Sequence, residues 1–158
     1  MKYIKITFFL YLLFLTSCGI ENPESAIEFA PPLGLVSFLS NGSIWLQFWG
    51  YNNETYFEGY NIYISDNPAT LVNYDVRGER ILQDETAKDK PTIEVNPFSD
   101  GPRLFTFEVK SSFFIETNNV VSRKDLVLGN TYYFNVRAYG NKITGRKASN
   151  IVTNQYTL

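Results

Sequence analysis

Residues 126–138 read L-V-L-G-N-T-Y-Y-F-N-V-R-A, a Gly129-Asn130 turn followed by strict alternation. Tyr132, Phe134, Val136 and Ala138 fall on one face, with Tyr133, Asn135 and Arg137 on the other. A period of two predicts a strand with one buried face. Shorter runs of the same kind recur along the chain. Residues 33–39 predict an edge strand behind Pro31-Pro32, because proline fixes φ and offers no ladder donor. After the Ser40-Asn41-Gly42 turn, residues 43–49 predict a second strand. Its alternation points either Ile44, Leu46 and Phe48 inward or Trp45, Gln47 and Trp49. Gln47 decides for the first set, since an amide buried without partners costs free energy. Residues 57–65 predict a third strand with Tyr60, Ile62 and Ile64 on one face, stopped by Asp66-Asn67-Pro68.

From 66 to 89 the pattern weakens, and Leu71, Val72, Ile81 and Leu82 are the expected docking points. Residues 92–95 and 104–110 predict two strands of a hairpin joined around Ser99-Asp100-Gly101-Pro102. Residues 113–121 are ambiguous and carry an Asn118-Asn119 turn. Residues 140–147 predict a loop and 150–156 a last alternating strand. No segment beyond the N-terminal apolar run has a helical period. Short strands separated by turn chemistry predict an all-β sandwich.

Composition narrows the chemistry. A chain of 158 residues is one domain on length,. Aromatics at 16% suit half-buried pleated surfaces,. The formal net charge of −2 gives no global reason to expect nucleic acid as a partner,. There is no histidine, which excludes a Ser-His-Asp triad, a Cys-His pair and histidine-ligated metal,. Cys18 is the single cysteine, so no intrachain disulfide can form,. Asp84, Glu85 and Asp89 cluster, and Asp66 with Asn67 offers oxygen ligands, but no D-x-[DN]-x-[DN]-G loop is present,. G-x-S-x-G, G-x-x-x-x-G-K-[ST] and G-x-G-x-x-G are also missing,. No catalytic residue, metal or dissociable cofactor is expected, and the chain is expected not to be an enzyme.

The N-terminus reads as an address. Lys2 and Lys5 precede an apolar run over 6–15, shorter than the roughly 20 residues of a comfortable membrane span,. This is the layout of a signal peptide. Leu15-Thr16-Ser17-Cys18, where cleavage would fall, resembles a bacterial lipobox. The resemblance implies a diacylated Cys18 thiol, cleavage before Cys18 and acylation of the new N-terminus, the lipid being the one covalent group expected. Ser17 is small enough to admit the peptidase, and several acyl chains at about 0.8 kcal/mol per buried methylene hold durably. The plain alternative is a simple signal peptide or uncleaved anchor with a chance cysteine. Gly19, in place of the aspartate that commonly retains such proteins at the inner membrane, implies the outer membrane, facing periplasm or surface. Residues 1–17 are thus the signal, 18–30 a lipidated tether with three acids, and 31–158 the folded domain,.

That domain resembles fibronectin type III. Pro31-Pro32 and Ile44-Trp45-Leu46-Gln47-Phe48 match its opening, and Gly59-Tyr60-Asn61-Ile62 its third strand. Residues 126–138 match its tyrosine corner and sixth strand, and Ser149-Asn150-Ile151-Val152 its last. The resemblance implies a Greek-key sandwich with Leu126 packed beneath the corner and the Tyr132 hydroxyl turned back to the backbone. The family's core tryptophan position falls on Phe48, with Trp49 beside it. The stretch 66–125 is longer than the family needs, and the surplus is expected as an inserted hairpin over 92–110.

Two candidate binding sites follow. After Asp125 the chain has no acid, and Lys142, Arg146 and Lys147 lie in the expected loop 139–148 between the last strands. The resemblance implies that this loop carries contacts, here to sulfated polysaccharide or an acidic protein patch; the alternative is a solvated loop that keeps the sandwich soluble. Trp45 and Trp49, expected outward, offer a stacking platform for sugar rings or a protein hot spot, unless the inserted segment packs over them. The expected role is an extracytoplasmic binding module held to the membrane by lipid, an adhesin being one form. A structural or assembly subunit of a cell-envelope complex and a carbohydrate-binding module are the alternatives.

Overall fold

The computed structural model describes residues 29–72, 78–96, 101–140 and 144–156, with 144–148 as backbone. Strands dominate: β1 (Leu33–Ser40), β2 (Ser43–Gly50), β3 (Phe57–Ser65), β4 (Glu79–Leu82), β5 (Ile93–Glu94), β6 (Arg103–Val109), β7 (Ser112–Thr117), β8 (Val120–Asp125), β9 (Thr131–Gly140), β10 (Thr144–Ala148) and β11 (Val152–Gln155). The one α-helix among the described residues, α1, is a single turn at Ala69–Val72. Two antiparallel sheets form an open sandwich. The smaller runs β1-β2-β6 and the larger β10-β9-β3-β4-β7-β8, with β11 also beside β9 and β5 beside β3.

The inner faces follow the alternation. Ile44, Leu46 and Phe48 of β2 are completely buried against Tyr60, Ile62 and Ile64 of β3 and Phe134 and Val136 of β9. Phe48 is stacked on Phe105 at 5.3 Å and meets Tyr60 edge-on at 5.1 Å, an offset and a T-shaped contact that suit the quadrupole of aromatic rings,. The Tyr60 hydroxyl donates to Asn52 Oδ1 at 2.8 Å, which satisfies a buried phenol. A Cβ at position 50 would lie 2.1 Å from that hydroxyl oxygen, so Gly50 is the residue that lets the ring fit.

The sandwich closes at one side through a side chain that imitates a strand. Leu35 N–H donates to Asn150 Oδ1 at 3.0 Å, and Asn150 Nδ2 donates to the Leu35 carbonyl at 2.9 Å. The Ser37 hydroxyl adds a bond to the Thr153 carbonyl at 2.8 Å. At the other end of β9, Val127 N–H donates to the Tyr132 hydroxyl oxygen at 2.8 Å, with Leu126 and Tyr132 both buried.

Three expectations are corrected. Residues 92–95 and 104–110 do not form a hairpin with each other: β5 pairs with β3, and β6 pairs with β2 along its whole length. The hairpin in the 66–125 stretch is β7–β8, turned at Asn118-Asn119, whose φ values of 51° and 66° are the two left-handed positions a tight hairpin turn requires,. Phe29 and Ala30, expected in the tether, pack with the domain. Phe29 is in the core, edge-on to Phe57 at 5.9 Å, and Ala30 N–H donates to Glu54 Oε1 at 3.0 Å. Finally, the second face of β3 and β9 is also buried. Asn61, Asn135 and Arg137 lie beneath the cover that includes α1, where Asn135 Nδ2 and Arg137 Nη2 both donate to the Leu71 carbonyl, at 2.7 and 3.0 Å.

Candidate binding face

The smaller sheet has one face in the core and one outside, and its registers put nine residues in a square on the outer face. Leu33, Trp49 and Leu104 form one row; Val36, Gln47 and Thr106 the next; Phe38, Trp45 and Glu108 the third. The bulge between Leu33 and Val36 keeps the first row aligned despite the extra residue,. Gly34, at φ +63°, makes that bulge, and the Trp49 ring edge passes over it, 3.8 Å from where a Cβ would stand.

Six of the nine side chains are large and apolar. Leu33, Val36, Phe38, Trp49 and Leu104 are between 41% and 65% exposed, and Trp45 is half-buried. Monomers rarely leave a contiguous patch of this kind without a use for it. Trp49 and the four aliphatic and phenyl neighbours are open among the described residues, whereas Trp45 is partly covered. Its polar members are few. Glu108 sits at one corner, where its Oε1 accepts from the Ser43 hydroxyl at 2.8 Å. Gln47 occupies the centre, half-buried. Trp45 Nε1 is buried without a hydrogen-bond partner among the described residues.

Of the other expected site residues, those the structure describes belong to the larger sheet or its corner. Arg146 and Lys147 belong to β10, whose backbone pairs with β9, so most of the stretch expected as a loop over 139–148 is strand. Lys142 and Cys18 lie outside the described residues. Leu126 and Tyr132 are buried in the corner ahead of β9, outside the smaller sheet.

The titratable groups that are gathered together act structurally. The Arg80 guanidinium, on the outward face of β4, pairs with Glu116 and donates to the carbonyls of Lys88 and Lys90, the second at 2.6 Å. This ties the 3₁₀ turn Ala87–Asp89 down on the larger sheet. Arg137 lies over the Tyr63 ring at 5.2 Å. The alternation missed both arginines, because their cover is not periodic. Burial, with Glu54 nearby, pushes the Tyr60 phenol well above its ordinary value; burial and Glu58 raise Tyr139. Hydrogen bonds from Thr86 hold Asp84 below the usual carboxylate range. Among the described residues no three acids are placed to hold a metal ion, and no helix is long and apolar enough to cross a membrane. No protein-family model matches the chain, and no curated protein is similar enough to align with it.

Proposed function

We propose that this chain is a bacterial lipoprotein whose fibronectin type III-like sandwich serves as an extracytoplasmic binding module rather than an enzyme. The observation that carries the binding role is the uncovered apolar face of β1-β2-β6, with both tryptophans of the chain upon it. Aromatic side chains presented on a rigid sheet lose little entropy on docking and dominate binding hot spots. The strand order supports the fibronectin type III likeness: the first two strands and β6 form one sheet, while β3, β4 and the last strands form the other. The corner at Tyr132 supports it independently,. The β7–β8 hairpin is then the insertion, extending the larger sheet beyond β4.

Anchoring rests on Leu15-Thr16-Ser17-Cys18. Palmitate labelling is expected in the intact chain and lost in Cys18→Ala; labelling that persists in the variant refutes it. Protease shaving of intact cells separates the two settings for the module. Loss of the domain indicates surface display, as an adhesin requires, and full protection indicates a periplasmic subunit of an envelope complex.

The carbohydrate alternative draws on Trp45 and Trp49, which flank Gln47 on one strand. It predicts that a polysaccharide alters tryptophan emission, a clean readout because the chain holds only 2 tryptophans.

A further inference from the structure

The chemistry of the outer face restricts what can cover it. A sugar ring stacks on an aromatic plane but keeps hydroxyls around its edge, and these need polar side chains beside the stacking residue. Here the neighbours of Trp49 across the strands are Leu33 and Leu104, and those of Trp45 are Phe38 and Glu108. Glu108 is already engaged by Ser43. Across the strands the indoles are flanked mainly by hydrocarbon, Gln47 and Thr106 being the polar side chains between their rows, which favours a mostly apolar partner over a heavily hydroxylated one. A second sheet face with alternate apolar side chains fits such a surface, packed about 10 Å away with strands near 30°.

The placement of Gln47 narrows the partner further. It stands in the middle row of the central strand, so it is the centre of the square. An amide pressed under an unrelated apolar surface would lose water and gain nothing. On a two-fold axis it meets its own mate, and because each amide carries both donors and an acceptor, the two satisfy each other reciprocally. An isologous contact doubles every charge on the patch, and this face carries only Glu108, at its corner, where Ser43 already donates to it,.

The area is sufficient. With side chains of this size exposing on the order of 200 Å² each when free, the five most exposed contribute roughly 500 Å². Trp45 and Gln47 bring the face to about 600 Å², so two copies would bury about 1,200 Å², the lower end for a specific interface.

We infer that the outer face of β1-β2-β6 is covered by the same face of a second copy of this chain, with the two-fold axis passing at Gln47. The inference rests on the reading of this face as the binding surface and names its partner. The face-to-face pair has a six-stranded dry core of its own between the two small sheets. The larger sheets and the β7–β8 hairpins point away on both sides.

Cysteine cross-linking of the full chain in bacterial membranes tests it. Gln47→Cys places two thiols at the axis, within reach of a short bis-maleimide. Lys88→Cys, exposed on the cover of the opposite sheet, reports random collision, and the unsubstituted chain gives the background from Cys18. The expected result is a product of twice the mass of the processed monomer seen on the same gel, at least tenfold more abundant from Gln47→Cys than from Lys88→Cys. Adding Trp49→Glu or, independently, Leu104→Lys to Gln47→Cys should abolish it, with protease resistance of the domain unchanged. Equal yields from positions 47 and 88 overturn the inference. So does a product of any other mass from position 47, which would mean a different protein on the face. Iodide quenching of the purified chain then separates this failure from that of the binding reading. Tryptophans open to iodide leave the binding face standing without a second copy. Tryptophans closed to iodide in a chain that does not pair mean that the face is covered from within, and both fall.

Discussion

Removing one oxygen from the corner, by Tyr132→Phe, isolates the bond that fixes the loop ahead of β9. The hydroxyl oxygen accepts from Val127 N–H at 2.8 Å, while the ring is 3% exposed and stays packed after the substitution. The phenyl ring leaves no cavity larger than the missing oxygen, so the loss is that of a hydrogen bond alone. A typical intramolecular bond contributes about 1 kcal/mol net. Stranding a buried donor would cost up to about 3 kcal/mol, but Val127 is itself 55% exposed, and water can reach its N–H. The expected destabilisation is therefore about 1 kcal/mol, or roughly 3–5 °C in Tm for a domain of this size. Urea denaturation followed by circular dichroism measures it, with an unchanged m-value showing that the denatured state is unaffected. Tyr133→Phe, half-buried on the other face of the same strand, removes no hydrogen bond of the corner and should change stability by less than about 0.5 kcal/mol,. A Tyr132→Phe variant as stable as the parent would refute the role of the corner. A loss above about 3 kcal/mol would refute the solvent-access argument.

Asn150→Ala removes both bonds to Leu35 and should cost about 1–3 kcal/mol, two bonds' worth,; equal stability of Asn150→Ala and parent by urea denaturation would show that β1 is held without it. The raised Tyr60 phenol makes stability pH-dependent on the alkaline side. The folded state holds the proton more tightly than the unfolded state, so this contribution is fully present below pH about 10, the ordinary tyrosine value, and is lost as pH rises through the folded value,. Denaturation midpoints should fall above pH about 10 with a slope that Tyr60→Phe reduces; an identical slope in that variant would assign the effect elsewhere.

The alternation carried the inner faces, because side-chain direction in a strand is a local property. Gln47 settled the face of β2, and Ile44, Leu46 and Phe48 lie where that choice puts them. Partnership is not local, and there the sequence misled. Residues 104–110 read as a strand, but nothing in them says that β2 rather than residues 92–95 is the neighbour. The β7–β8 hairpin did leave a signal in Asn118-Asn119, since asparagine tolerates the left-handed conformation both positions adopt,. Phe29 was hidden by its acidic, low-hydropathy surroundings, and Asn135 and Arg137 by a cover with no period. The candidate face was half legible. Trp45 and Trp49 pointing outward follow from alternation, whereas Leu33, Val36, Phe38 and Leu104 join them only once the registers of β1 and β6 are known.

The account turns on that face being occupied when the protein works. The most direct measurement is the rate at which a small maleimide labels Gln47→Cys, relative to Lys88→Cys, first in native membranes and then after the chain has been extracted and diluted. An occupied face predicts labelling at position 47 that is slow in the membrane and rises at least tenfold on dilution, while position 88 is labelled equally fast in both. The same rapid labelling at position 47 in both settings would contradict it.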